Sequence, residues 1–328
     1  MRVNFNELNP VEESIIQKNN WKRKFFHFKD VYLHAVIADK ASKNAPIIIL
    51  LHGFPEFWFS WRYIMPELSK KFHVVALDQR GFNLSGKPYL VKYYGQNYLA
   101  SDPVRVLRKE AYNYYHIECG LPRNDKRITN PKAVFIGHDW GGGIAWNIAR
   151  WYPNNVEKLI ILNCPPVEIL LNEVSTNIRQ LLSSYYIFMF QIPFLGERFL
   201  FQFKEKLFKG IAQKNYYGEG EKDISAYIKA YSYKRATSGI NYYRAAMRWG
   251  LLGRFNNPER ISCPTHVIWG TADQALTTDL THKFPANVEK GKYTITYLPG
   301  ISHWIQQEAP KEVSKEILNF TIDNRDRV

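Results

Sequence analysis

The stretch "FIGHDWGGGIAW" sets one carboxylate, Asp139, between an apolar run and a cluster of three glycines. The run ahead of it is strand-like. The glycines behind it let the backbone turn sharply from strand into helix without a side-chain clash. A residue at the tip of that turn projects from the carboxyl end of a strand, where parallel α/β sheets carry their reactive groups. Two more residues share the context. Asp273, in "VIWGTADQAL", follows a strand-like run, and His303, in "LPGISHWIQQEAP", lies in the loop after the last one. In chain order the three read nucleophile, acid, histidine. A carboxylate attacks without first losing a proton at neutral pH, the histidine takes a proton from water, and the second Asp orients and stabilises it. Asp is also a favoured helix N-cap, so it is the company of Asp273 and His303 that favours chemistry at Asp139. A further segment, "HGFPEFWFSWR" (52–62), bends after an earlier strand. It is expected to aim the backbone N–H of Phe54 into the same site. With the N–H of Trp140 it would make a pair of oxyanion donors.

These groups need a scaffold that brings strand ends together. Short, β-branched apolar runs at 45–56, 73–81, 132–139, 158–165, 263–270 and 293–300 predict strands buried on both faces. Residues 25–39 alternate in part and predict a hairpin. Helical segments are expected at 141–153 and 310–323. Strands alternating with helices predict an α/β chain with a mainly parallel sheet covered on both sides. Residues 166–255 lack strand runs and are dense in Tyr, Phe, Leu and Lys. They predict a helical lid inserted between two parts of the core, residues 1–165 and 256–328.

With 328 residues, 45% of them hydrophobic and 15% aromatic, the chain can bury a large core. The net charge of +14 could attract nucleic acid or an anionic membrane. The basic residues are spread along the chain, however, and no nucleic-acid motif is present. Three widely separated cysteines, Cys119, Cys164 and Cys263, suggest free thiols in a reducing compartment and no metal site. No secretory signal or membrane span is evident. The expectation is a soluble, cytoplasmic protein, with peripheral membrane association possible.

The order Asp139, Asp273, His303 is that of the α/β-hydrolase triad. The segments "HGFPEFWFSWR", "DQRGF", "GHDWGG", "YYIFMFQIP", "GINYYR", "WGTAD" and "GISHW" resemble α/β-hydrolase-fold epoxide hydrolases from about residue 45 to 310. "HGFPE" and "GHDWGG" are shared with haloalkane and fluoroacetate dehalogenases, so the lid segments discriminate better. The resemblance implies two lid tyrosines that hold the epoxide oxygen. Tyr186 and Tyr243 match them, with Tyr185 and Tyr242 as their immediate competitors. It also implies a small-molecule epoxide as substrate, a vicinal diol as product and no cofactor. His52, Pro55, Trp304, Phe188 and Phe190 are expected to line the substrate pocket. The alternatives are a dehalogenase on the same scaffold, with Trp140 as a halide contact, and a non-catalytic ligand-binding protein of this fold. The chain departs from the family pattern at Asn83, where relatives usually carry Gly, and at Gly86, where an acidic residue is common. A longer, polar segment at 121–132 reads as a surface insertion.

Overall fold

Unbroken apolar runs become strands with neither face in water. The strands are β1 (Lys22–His27), β2 (Tyr32–Ala38), β3 (Ile47–Leu51), β4 (His73–Leu77), β5 (Ala133–His138), β6 (Val156–Leu162), β7 (Thr265–Gly270) and β8 (Tyr293–Leu298). The computed structural model describes residues 9–213, 220–231, 233–250 and 259–322. One eight-stranded sheet forms in the order β1-β2-β4-β3-β5-β6-β7-β8. β1 and β2 pair antiparallel, as do β2 and β4; every later pair is parallel. Every residue of β3, β4, β5 and β7 is buried, as a sheet covered by helices on both faces requires. The outermost strands, β1 and β8, carry the more exposed patterns.

The strand order reverses between β3 and β5. β4 lies on one side of that pair and β6 on the other. A crevice opens at the carboxyl ends of strands where an open sheet reverses, and ligands bind there in α/β folds. Register places Leu51 of β3 beside Gly137 of β5. The segments leading to Phe54 and to Asp139 therefore leave the sheet side by side. The close approach demands glycine. A Cβ on Gly141 would lie 2.1 Å from the Leu51 carbonyl oxygen, and one on Gly53 would lie 2.6 Å from the Cβ of Asp139. Both distances are far inside any real contact, so the glycines set how tightly the turn after β5 packs on the turn after β3.

Between β6 and β7 the described chain is helical: Val167–Thr176, Ile178–Ser183, Tyr185–Met189, Leu195–Gln213, Gly220–Ala230 and Tyr233–Ala245. Residues 251–255 of the expected lid lie outside the described residues. The helices are tied to the sheet domain by buried polar contacts. The Arg62 guanidinium pairs with Asp223, and the Tyr242 hydroxyl donates to the Arg80 carbonyl at 2.7 Å. Asn83, the departure noted in the sequence, adopts φ +36°, a region Asn tolerates better than most residues. Its side-chain amide donates to Asp78 at 2.9 Å, a contact a glycine could not make. Residues 121–132 form a mostly exposed loop with one short helix, Lys126–Thr129.

Candidate active site

Asp139 follows β5 directly and precedes the helix Trp140–Trp151. Its backbone sits at φ +48°, ψ −122°, and its side chain makes no capping hydrogen bond. The simple N-cap role is thereby excluded. A non-glycine residue held in such a conformation is strained, and strain of this kind concentrates at functional sites. One carboxylate oxygen, Oδ1, accepts the Phe54 N–H at 2.8 Å. The other, Oδ2, lies 3.7 Å from His303 Nε2. The loop after β8 carries His303, whose Nδ1–H donates to Asp273 Oδ2 at 2.6 Å. Asp273 is held from three directions. Its Oδ1 accepts the N–H groups of Ala275 (2.8 Å) and Leu276 (2.9 Å), and its Oδ2 also accepts from Asn163 Nδ2 at 2.7 Å. The three residues expected from the sequence are thus brought together in one line of contacts.

The electrostatics follow from that line. Burial opposes the charge on His303, but the Asp273 and Asp139 carboxylates outweigh it and push the imidazole well up. Burial likewise works against ionised Asp139 and Asp273. The facing imidazole prevails in both, helped by the Phe54 N–H at Asp139 and by Asn163 at Asp273, and both carboxyls titrate low. Asp273 is sealed from water, whereas the Asp139 and His303 side chains remain 18% and 13% exposed. That exposure belongs to a cavity of about 280 Å³ which both residues line, together with Phe54, Pro55, Tyr186, Phe190, Tyr243 and Trp304. A smaller cavity of about 80 Å³ lies against the same Asp139, Tyr186 and Tyr243, on the side of Trp140 and Cys164. Asp139 is the only acidic group among the described residues lining either space.

Tyr186 and Tyr243 both line the cavity and meet edge to face, with ring centroids 5.8 Å apart. Their neighbours in sequence are placed differently, Tyr185 at the outer edge of the same cavity and Tyr242 away from it. Tyr185 is 63% exposed, and the Tyr242 hydroxyl is committed to the Arg80 carbonyl. Burial raises the pKa of both facing phenols, and nearby Asp139 raises it further, so both hold their protons. Trp140 packs edge-on against Tyr243 at 4.9 Å.

Two pocket expectations are corrected. His52 is fully buried behind the site and lines neither cavity. Its Nδ1–H donates to the Gly53 carbonyl at 2.8 Å and its Nε2 accepts the Gln79 N–H at 3.0 Å. The ring therefore braces the turn that presents Phe54. Phe188 is half exposed and lines neither cavity. On a helix the neighbours on one face are four apart, so Tyr186 and Phe190 share the inward face and leave Phe188 outside.

Residues the sequence reading passed over also shape the site. Asn163, at the end of β6 with φ +41°, bridges Asp273 and the Gly270 N–H. His138, just before Asp139, spans the buried Glu56 carboxylate (Nδ1, 3.0 Å) and the His303 carbonyl oxygen (Nε2, 2.8 Å). Glu56 in turn accepts from Gln306 and Gln307 at 3.1 and 2.7 Å. The Glu of "HGFPE" was the available signal for this brace beneath the histidine loop.

An acid–histidine pair and a strained carboxylate on a strand-to-helix turn, set at the reversal of a parallel sheet, define an enzyme of the α/β-hydrolase class. A family model for the alpha/beta hydrolase fold matches residues 46–306. The chain is 35% identical to human epoxide hydrolase 4 over 305 residues, which cover 90% of this chain and 78% of the relative. It is 32% identical to mouse epoxide hydrolase 3 over 296 residues, covering 89% and 74%. A crystal structure of a Bacillus megaterium epoxide hydrolase with an inhibitor superposes with a TM-score of 0.75 at 29% identity, covering 90% of this chain and 99% of that one. The chain belongs to the α/β-hydrolase family and groups there with the epoxide hydrolases. Among the described residues, no helix is long and apolar enough to cross a membrane.

Proposed function

We propose that this enzyme converts an apolar epoxide and water to a vicinal diol through a covalent ester on Asp139. The observation that carries the reading is the division of labour at the Asp139 carboxylate, whose Oδ1 is held by the Phe54 N–H while Oδ2 is left facing His303. Oδ2 attacks a ring carbon, the carbon–oxygen bond of the epoxide breaks, and a hydroxyalkyl ester forms. The leaving oxygen is a poor leaving group unless a donor meets it. Tyr186 and Tyr243, which line the same cavity as Asp139, supply that donor. Attack consumes the negative charge that helps hold the phenol protons, so the tyrosines become better donors at the moment the alkoxide appears.

Ester formation also removes one of the two carboxylates that push His303 up. The imidazole then gives up its proton more readily and can take one from water. Water adds to the ester carbonyl, Oδ1 carries the developing charge against the Phe54 N–H, and the bond to Oδ2 breaks to release the diol. Trp140 N–H is the second candidate donor to that oxygen. Asp273 holds the imidazole in the required orientation. The helices between β6 and β7 act as the lid that closes the cavity, with 166–255 as the inserted segment and 1–165 with 256–328 as the core. The chemistry asks for no metal or organic cofactor. The tyrosine pair, with the Tyr243 ring against Trp140, supports oxygen binding over halide binding and so this reading over a dehalogenase.

Tyr243→Phe tests the oxygen clamp. Single-turnover kinetics should show ring opening slowed by about 10²-fold, the scale of one positioned donor, while hydrolysis of the ester changes little. An unchanged ring-opening rate would remove Tyr243 from the clamp.

A further inference from the structure

The helical insertion carries a surface unlike the rest of the molecule. From residue 180 to residue 196 the sequence has no charged residue. Large apolar side chains in and beside this stretch stand in solvent, among them Leu182 (67% exposed), Phe188, Ile192 and Phe194 (75%). The face continues along the helix Leu195–Gln213, where Leu195, Phe199 and Phe203 recur at a spacing of four and are all exposed. Phe199 and Phe203 pack ring to ring at 4.8 Å. Water-soluble proteins seldom expose contiguous apolar area on this scale unless something covers it.

Two features say what covers it. The first is continuity with the active site. Tyr185, Phe199 and Phe203 belong both to the exposed face and to the wall of the 280 Å³ cavity. The cavity wall therefore reaches the surface within the apolar face. The second is charge. Arg198, Lys206 and Lys209 are exposed on the same helix and Lys204 is partly so, against a single exposed carboxylate, Glu205. The whole chain carries +14. Such a balance opposes pairing with a second copy and attracts an anionic surface. An apolar face ringed by basic residues, on helices too short or too polar to span, lies in the plane of a bilayer interface.

We propose that the face formed by residues 182–203 docks onto an anionic lipid bilayer, its aromatic and aliphatic side chains entering the headgroup boundary and the basic residues of Leu195–Gln213 meeting lipid phosphates and carboxylates. The mouth of the cavity then opens towards the membrane, and a lipophilic substrate enters without crossing water. Only that last step rests on the epoxide reading; the docking does not.

Vesicle flotation of the full chain without substrate tests it. Vesicles of phosphatidylcholine with about 30% phosphatidylserine should retain the protein at least tenfold more strongly than pure phosphatidylcholine, since each basic residue near such a surface contributes about fivefold. The double variant Leu182→Ser/Phe194→Ser should lose at least tenfold in partition while turnover of styrene oxide stays as in the parent. Lys206→Glu/Lys209→Glu should abolish the preference for phosphatidylserine. Failure of the parent chain to float, partition unchanged in Leu182→Ser/Phe194→Ser, or a dimer in sedimentation equilibrium that the same variant converts to monomer would each overturn the proposal.

Discussion

Asp139→Ala abolishes diol formation from styrene oxide, with turnover falling by about 10⁴-fold or more, the scale seen when a member of a catalytic triad is removed. The size of the effect follows from the site. Asp139 is the only carboxylate among the described residues lining either cavity, so no second carboxylate can take over the attack. The Phe54 N–H would lose its acceptor, and His303 would lose one of the two carboxylates that hold its proton. The variant should stay folded, because alanine keeps the Cβ that packs beside Gly53 and removes only the carboxylate. A melting curve matching that of the parent would establish this. Turnover at the parental rate would refute the nucleophile assignment.

His303→Gln produces the opposite picture, an enzyme that reacts once and stops. In this scheme ring opening uses Asp139 and the tyrosines; loss of the imidazole lets burial raise the Asp139 carboxyl and slows that step, but leaves its groups in place. Ester hydrolysis needs a base, and glutamine is none. Its rate should fall by about 10³-fold, within the range for a positioned general base. Intact-protein mass spectrometry should then show one equivalent of adduct with the full mass of the epoxide, since the ring opens without losing atoms. A clean spectrum under conditions that saturate the parent would count against a two-step route.

The fold was legible because the strands of a covered parallel sheet are mostly apolar along their length. Ile47–Leu51 and Ala133–His138 stand out as apolar runs that end in glycine-rich turns, and the turns carry Phe54 and Asp139. Other elements were less visible. The helix Gln96–Ala111 contains Pro103 and a buried Asp102, features that argue against a helix until Arg80 is seen paired with that Asp. The helix Pro10–Asn19 had its signals in plain view, an Asn9 cap, a proline at the first position and two glutamates in the first turn, yet it carries no catalytic residue and drew no reading.

Within the site, positions that depend on chain order or strand ends were readable, while contacts across the fold were not. Asn163 meets Asp273 at a distance of 110 residues in sequence, and nothing local announces it. The misplacement of Phe188 has a different origin. Residues 185–190 pack four aromatics into six positions, and only the helical phase separates the inward pair, Tyr186 and Phe190, from the outward one. His52 was misassigned because it adjoins a functional loop. Both its ring nitrogens are already used in holding that loop together.

The oxygen bookkeeping of a single turnover reaches the ester itself. With enzyme in excess over epoxide in water enriched in oxygen-18, the diol should carry no label, because its new hydroxyl oxygen comes from Asp139 Oδ2. The label should appear in the Asp139 carboxylate, detectable in the peptide that contains it. A singly labelled diol together with an unlabelled Asp139 would mean that water attacks the epoxide directly and that no ester forms.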